Sequence, residues 1–189
     1  MFAAVFASRV ASAGWRRAVH TRALADPVAA TGLYYHALGD SEWAVSFLRD
    51  APKHAESSAV IARFAVPPAV EPPVHLRNNP DIARLNAPFW DMLHSIFQEY
   101  AAQDEMLNFE ANMRGDGWAH ISDERQGLML VRTPAPDSIF GSVAFVKSTI
   151  DPSTYERNAM YRFCMRTEGP MQLPEAWRKR VCDRLASMQ

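Results

Sequence analysis

The residues best equipped for chemistry crowd between positions 118 and 125: Trp118, His120, Ser122, Asp123, Glu124 and Arg125. An imidazole followed closely by two carboxylates supplies a general base and an acid to orient it. Arg125, or Arg132 a little further on, would then bind an anionic substrate through its planar guanidinium. Asp137 and Arg162 join this group if the strands that carry them pair. The stretch follows a short strand and runs into a turn, where functional side chains concentrate. The same residues also have a purely structural use. Asp123 can cap a turn, Glu124 and Arg125 can pair with other charges, and His120 can hydrogen-bond to backbone. The spacing matches no catalytic motif and the structural use is the stronger reading. No catalytic residue is therefore assigned; His120, Asp123, Glu124 and Arg125 stand as candidates.

Other reactive groups are scattered. His20, His36, His54, His75, His94 and His120 form neither an HExxH pair nor a His/Cys cluster at metal-ligand spacing. Cys164 and Cys182 make no CxxC and no twin Cx9C pattern. In a reducing compartment they are expected as reduced, buried thiols. The chain has no GxGxxG, no phosphate-binding GxxxxGK[ST] and no GxSxG elbow, and Ser142 after Gly141 is a lone serine. No metal and no cofactor is expected.

Composition adds an address. Asp26 is the first acidic residue; Arg9, Arg16, Arg17 and Arg22 precede it, among Ser8, Ser12, Thr21, alanines and bulky apolars. This basic, acid-free start reads as a mitochondrial presequence over residues 1–25. A secretory signal would need an unbroken apolar core, and Arg9 ends the run that begins at Phe2. A membrane-spanning helix needs about 20 apolar residues, and no stretch supplies them. The chain holds 20 basic and 21 acidic residues; without the four leader arginines, 16 face 21, a net charge of −5. Nucleic-acid binders are normally basic, so this balance argues against an RNA-coating role.

These groups must be positioned by one small unit, since 189 residues less a leader suit a single core. Residues 26–40 form an aromatic arm with Leu33, Tyr34, Tyr35 and His36. Asp40 or Ser41 opens a short helix on which Trp43 and Phe47 share a face. Residues 59–66 alternate as a strand. Pro67, Pro68, Pro72 and Pro73 make a stiff connector. Asn79 before Pro80 marks a helix start. The main helix begins near Pro88, with Phe89, Leu93, Ile96 and Tyr100 on one stripe and His94 on its solvent-facing shoulder. A break near 102–104 lets Asp104 cap a second helix bearing Met106, Phe109 and Met113, which ends at Gly115. Strands follow at 118–121, 142–147 and 160–165, with one helical turn at 137–140. The strand at 142–147 is apolar on both faces and reads as central. Pro174 opens a last helix with Trp177, Val181, Leu185 and Met188 on one face and Arg178, Lys179, Arg180 and Arg184 around it. Those arginines complement the helix dipole, with contact to phosphates or cardiolipin as the weaker alternative.

The fold class expected is α+β: a small, mostly antiparallel sheet with helices on one face, behind a disordered or helical leader. The divisions are 1–25 for the presequence, 26–75 for the arm, strand and connector, and 76–189 for the body. The function expected is that of a non-catalytic mitochondrial accessory or assembly protein of the matrix. It would contact protein partners through Tyr34, Tyr35, Trp43 and Phe47, with peripheral membrane contact as an option. The alternatives are a small enzyme for an anionic substrate and an RNA-associated protein.

Overall fold

A computed structural model describes residues 23–127 and 134–188. The leader up to residue 22 and Arg132 lie outside these residues.

The fold is α+β, with three antiparallel sheets and four α-helices among the described residues. The first sheet has five strands in sequence order: β1 (Leu24–Ala25), β2 (Tyr34–Ala37), β3 (Glu42–Ser46), β4 (Ala62–Ala65) and β5 (Arg84–Leu85). β3 occupies the segment expected as a short helix. Trp43 and Phe47 are four apart, which puts them on one side of a helix but equally on one side of a strand. Pairing decides between the two: Trp43 lies opposite Ala37 and Phe64, and Val45 opposite Tyr35 and Ala62. Strands on both sides satisfy the backbone of β3, and an isolated helix of that length has no comparable support.

The aromatic arm is thus part of the sheet. Leu33, Tyr35 and Phe47 are core residues, while Tyr34 and Trp43 are half-buried. Tyr35 and Phe47 cannot meet a partner without unfolding the sheet. The expected divisions do not coincide with structural joints. β1 begins before residue 26, and α1 (Pro72–Asn78) crosses position 75. One hydrophobic cluster also runs from Leu33 to Leu185. The proline connector is shorter than expected, because Pro72 and Pro73 open α1, where a missing N–H costs nothing. After Asn79 there is only a 3₁₀ turn, Pro80–Ile82, and Asn79 gives it no side-chain cap.

α2 (Ala87–Tyr100) is the central helix. Phe89, Trp90, Leu93, Ile96 and Phe97 are buried, and each such side chain contributes on the order of 2 kcal/mol. Phe97 packs at the centre, 5.2 Å from the Phe140 ring and 5.1 Å from that of Trp177. Trp90 donates its indole N–H to the Ile61 carbonyl at 3.1 Å, which ties α2 to the first sheet. A 3₁₀ turn at Ala101–Gln103 interrupts the helical course. Asp104 then caps α3 (Glu105–Arg114), accepting from the N–H groups of Met106 and Leu107 at 3.1 and 3.0 Å. Gly115 ends the helix.

α3 leaves its largest apolar side chains outside. Its buried residues are Leu107 and Ala111, whereas Met106, Phe109 and Met113 are 48, 60 and 72% exposed. The side with Leu107 and Ala111 packs against the second sheet.

That sheet has the order β6 (Gly117–Ser122), β7 (Ile139–Val146), β8 (Thr149–Arg157). β7 is central, as expected, yet its second face opens toward the C-terminal end: Val143 and Phe145 are buried, Ala144 is half-buried and Val146 is exposed. β8 carries Pro152 and little alternation, and its register against β7 shifts between Ser142 and Ala144. Proline sits in sheets at edges and irregularities of this kind. The strand expected at 160–165 shrinks to β9 (Cys164–Met165), paired with β10 (Gly169–Pro170), and Met160 is exposed. α4 (Glu175–Ser187) buries Trp177, Val181 and Leu185 against α2, with Met188 exposed.

Candidate functional site

β6 alternates, so Ala119 and Ile121 face the core while Trp118, His120 and Ser122 face outward. Asp123 continues the inward side of that alternation, just past a register shift between Ile121 and Ser122. The backbone there is pinned, with Asp123 N–H donating to the Ser138 carbonyl at 2.8 Å and Glu124 N–H to that of Gln172 at 2.9 Å.

The Asp123 carboxylate is completely enclosed by donors. Oδ1 accepts from the N–H groups of Arg125, at 2.8 Å, and Gln172, at 3.1 Å. Oδ2 accepts from the Tyr161 hydroxyl at 2.7 Å and lies 3.0 Å from Arg125 Nε, an ion pair not aligned for a hydrogen bond. Arg125 completes the closure. Its guanidinium donates to the carbonyls of Arg162 (2.7 Å), Gly169 (3.1 Å) and Phe163 (3.4 Å) and sits 5.6 Å from the Tyr161 ring centroid. The side chains of Asp123 and Arg125 are 0 and 1% exposed. Burial pushes the Asp123 carboxyl upward, against the pull of Arg125, Tyr161 and two backbone N–H groups. Burial likewise holds Tyr161 well above the usual phenol range. Glu124, half-exposed, is raised by burial and by the neighbouring Asp123 and Glu175.

His120 has another partner. Its Nδ1 lies 2.8 Å from Ser142 Oγ, directly across the β6–β7 pair. The structure therefore joins Asp123 to Arg125 and His120 to Ser142. The imidazole makes no hydrogen bond to either carboxylate. Asp137 contributes through its backbone, accepting from the Arg162 N–H at 3.0 Å, while the Arg162 side chain is exposed.

Two further polar groupings had no signal in the sequence. Asp26 repeats the Asp123 arrangement. It accepts from the Tyr35 hydroxyl at 2.8 Å, Arg77 Nη2 at 2.6 Å and the Val28 N–H at 2.8 Å. Residues 26, 35 and 77 share no local spacing, so only the pairing of β1, β2 and α1 brings them together. The two clusters meet at the β9–β10 hairpin. Gly169 gives its carbonyl to Arg125, and a Cβ there would stand 3.0 Å from Arg77 Nε. Cys164, in the same hairpin, is a free thiol that burial raises to about 11.

The second grouping is His94 with Tyr155, Nδ1 to hydroxyl at 2.6 Å, linking α2 to β8. His94 is 9% exposed rather than solvent-facing, because β8 covers that shoulder of α2. Burial, with Arg157 nearby, lowers its pKa to about 4.

The three arginines of α4 are engaged within the chain. Arg178 pairs with Glu175, Arg184 pairs with Glu99, and Arg180 lies over the rings of Trp177 and Tyr100 at 4.8 and 5.1 Å. Two surface grooves of about 350 and 450 Å³ are lined around Arg180 and Arg184 and around Asp50 and His54. Neither includes His120, Asp123, Glu124 or Arg125. Among the described residues no three of His, Cys, Asp and Glu gather as a metal-ligand set, and no helix is long and apolar enough to cross a membrane.

The chain matches no protein-family model, no curated protein and no solved structure.

Proposed function

We propose that this protein works by surface contact, as a non-catalytic accessory or assembly subunit of a protein complex in the mitochondrial matrix. The observation that carries the reading is the outer face of α3. Met106, Phe109 and Met113 stand exposed there, opposite the residues that face the core. Large apolar side chains grouped on one surface mark a contact site, and methionine adapts to varied partners. The best-equipped polar residues point the same way, since Asp123 and Arg125 engage each other and three backbone carbonyls. The address rests on the acid-free, arginine-bearing start of the chain.

The test is affinity isolation of the tagged full chain from purified mitochondria, with identification of what accompanies it. A defined set of co-isolated proteins, diminished by Phe109→Glu, is expected. Recovery of the chain alone contradicts the contact reading, and a fusion of residues 1–25 that stays in the cytosol contradicts the address.

The enzyme reading keeps one favourable observation, the His120–Ser142 contact on the open face of the second sheet. It predicts that Ser142→Ala abolishes turnover of some anionic ester, whereas the contact reading predicts no loss of function.

A further inference from the structure

Met106, Phe109 and Met113 form a stripe along the outer side of α3, with a methionine on each side of the ring. Both methionines are open to water. The side-chain contacts that hold the helix come from other residues: Leu107 and Ala111 in the core, the Asp104 cap and the Glu110–Arg114 ion pair. Met92 and Met171 are buried instead. We propose that Met106 and Met113 form a reversible oxidation site, at which hydrogen peroxide turns the stripe from apolar to polar while the fold stays intact. The proposal rests on the reading of α3 as a contact surface and gives that surface its regulation.

The chemistry is an oxygen transfer. A sulfur lone pair attacks one peroxide oxygen, an S–O bond forms and the O–O bond breaks. The departing oxygen takes the proton of the transferred one and leaves as water. The thioether is oxidised by two electrons to the sulfoxide and the peroxide is reduced by two. Two thiols reverse the step, becoming a disulfide and releasing the oxygen as water. Cys164 and Cys182 compete poorly for the peroxide. Burial raises both thiols, and the thiolate is the reactive form.

The placing of the two methionines gives the modification its effect. They are about 10 Å apart along the helix, so a contact centred on Phe109 meets both. Each sulfoxide brings a strong acceptor into a surface that offers it no donor. Two of them should weaken such a contact by about ten-fold or more. Met160 and Met188 are also exposed but lie outside α3, and their oxidation leaves the stripe as it was.

The test is timed peroxide treatment of the purified full chain, with each methionine followed by peptide mass mapping. Met106 and Met113 are expected to oxidise alongside Met160 and Met188, and about ten-fold or more faster than Met92 and Met171, which react only when the fold opens. The unfolding temperature should not fall, and retention on a phenyl column should drop. Sulfoxide reductases with dithiothreitol should restore it. A Met106→Leu, Met113→Leu double variant, whose stripe cannot be oxidised, should keep most of its retention. Oxidation of Met106 and Met113 at the slow rate of Met92 and Met171, a fall in unfolding temperature confined to the parent, or an equal loss of retention in both proteins each overturns the proposal. None of these readouts needs a partner, so an untreated chain that recruits none contradicts the contact reading alone. A chain that recruits partners equally before and after oxidation keeps the contact reading and overturns its regulation.

Discussion

Asp123 is held by a phenol, a guanidinium and two backbone N–H groups, so its removal is first a matter of stability. Asp123→Asn leaves the Arg125 guanidinium buried without its counter-charge. Breaking one side of a buried pair costs about 3–5 kcal/mol. Tyr161→Phe loses one hydrogen bond to a charged group, about 1.5–3 kcal/mol. Denaturant unfolding should rank the two in that order; an Asp123→Asn variant as stable as the parent would return Asp123 to the list of catalytic candidates. His94 gives a pH dependence of known sign. Burial depresses its pKa to about 4 from 6.5, so the folded chain resists protonation that the unfolded chain accepts. Stability is then full above about pH 6.5 and falls as pH drops toward 4, by on the order of 3 kcal/mol at most. His36 is shifted the same way by burial and adds to the slope. His94→Gln should flatten the curve in that window and leave it unchanged above pH 7. An unchanged slope would mean that the histidine titrates normally.

At the scale of elements, the longer helices and the strands β4, β6 and β7 were legible, whereas β3, β8 and α1 were not. The 3.6-residue period of α2, the Asp104 cap, the Gly115 stop and the start of α4 after Pro174 are local signals, and each appears where expected. β3 was misread because an i, i+4 pair fits either periodicity. β8 gave no signal because Pro152 and a register shift blur its alternation. Which side of α3 faces the core depends on how near the second sheet lies, and no local pattern encodes that distance. The candidate site followed the same rule. Its members were visible as a cluster in sequence, but the strand alternation that puts His120 outward and Asp123 inward, and the distant partners Tyr161 and Gln172 that enclose Asp123, were not read from it. The β7–β8 approach yields a direct prediction. A Cβ on Gly141 would stand 2.5 Å from the Tyr155 hydroxyl and 2.6 Å from the Glu156 carbonyl oxygen. The second of these is backbone and cannot step aside. Gly141→Ala should destabilise the fold by about 1–3 kcal/mol and also move Tyr155 off His94. A mutant with parent stability would show that the strand pair has slack.

For the whole molecule, the polar clusters and the apolar surface divide the work. Asp26 with Arg77 and Asp123 with Arg125 close on the β9–β10 hairpin from two sides, Arg77 against Gly169 and Arg125 onto its carbonyl. They fasten the five-stranded sheet and the end of β6 to one structural element. The α3 stripe is left exposed, and it is the surface that the proposed function uses. A protein so arranged should be found in company. The direct measurement is the native mass of the tagged full chain in a gently solubilised mitochondrial extract. The account predicts a species well above the mass of two chains; elution at the mass of one or two chains, with no larger form, would contradict it.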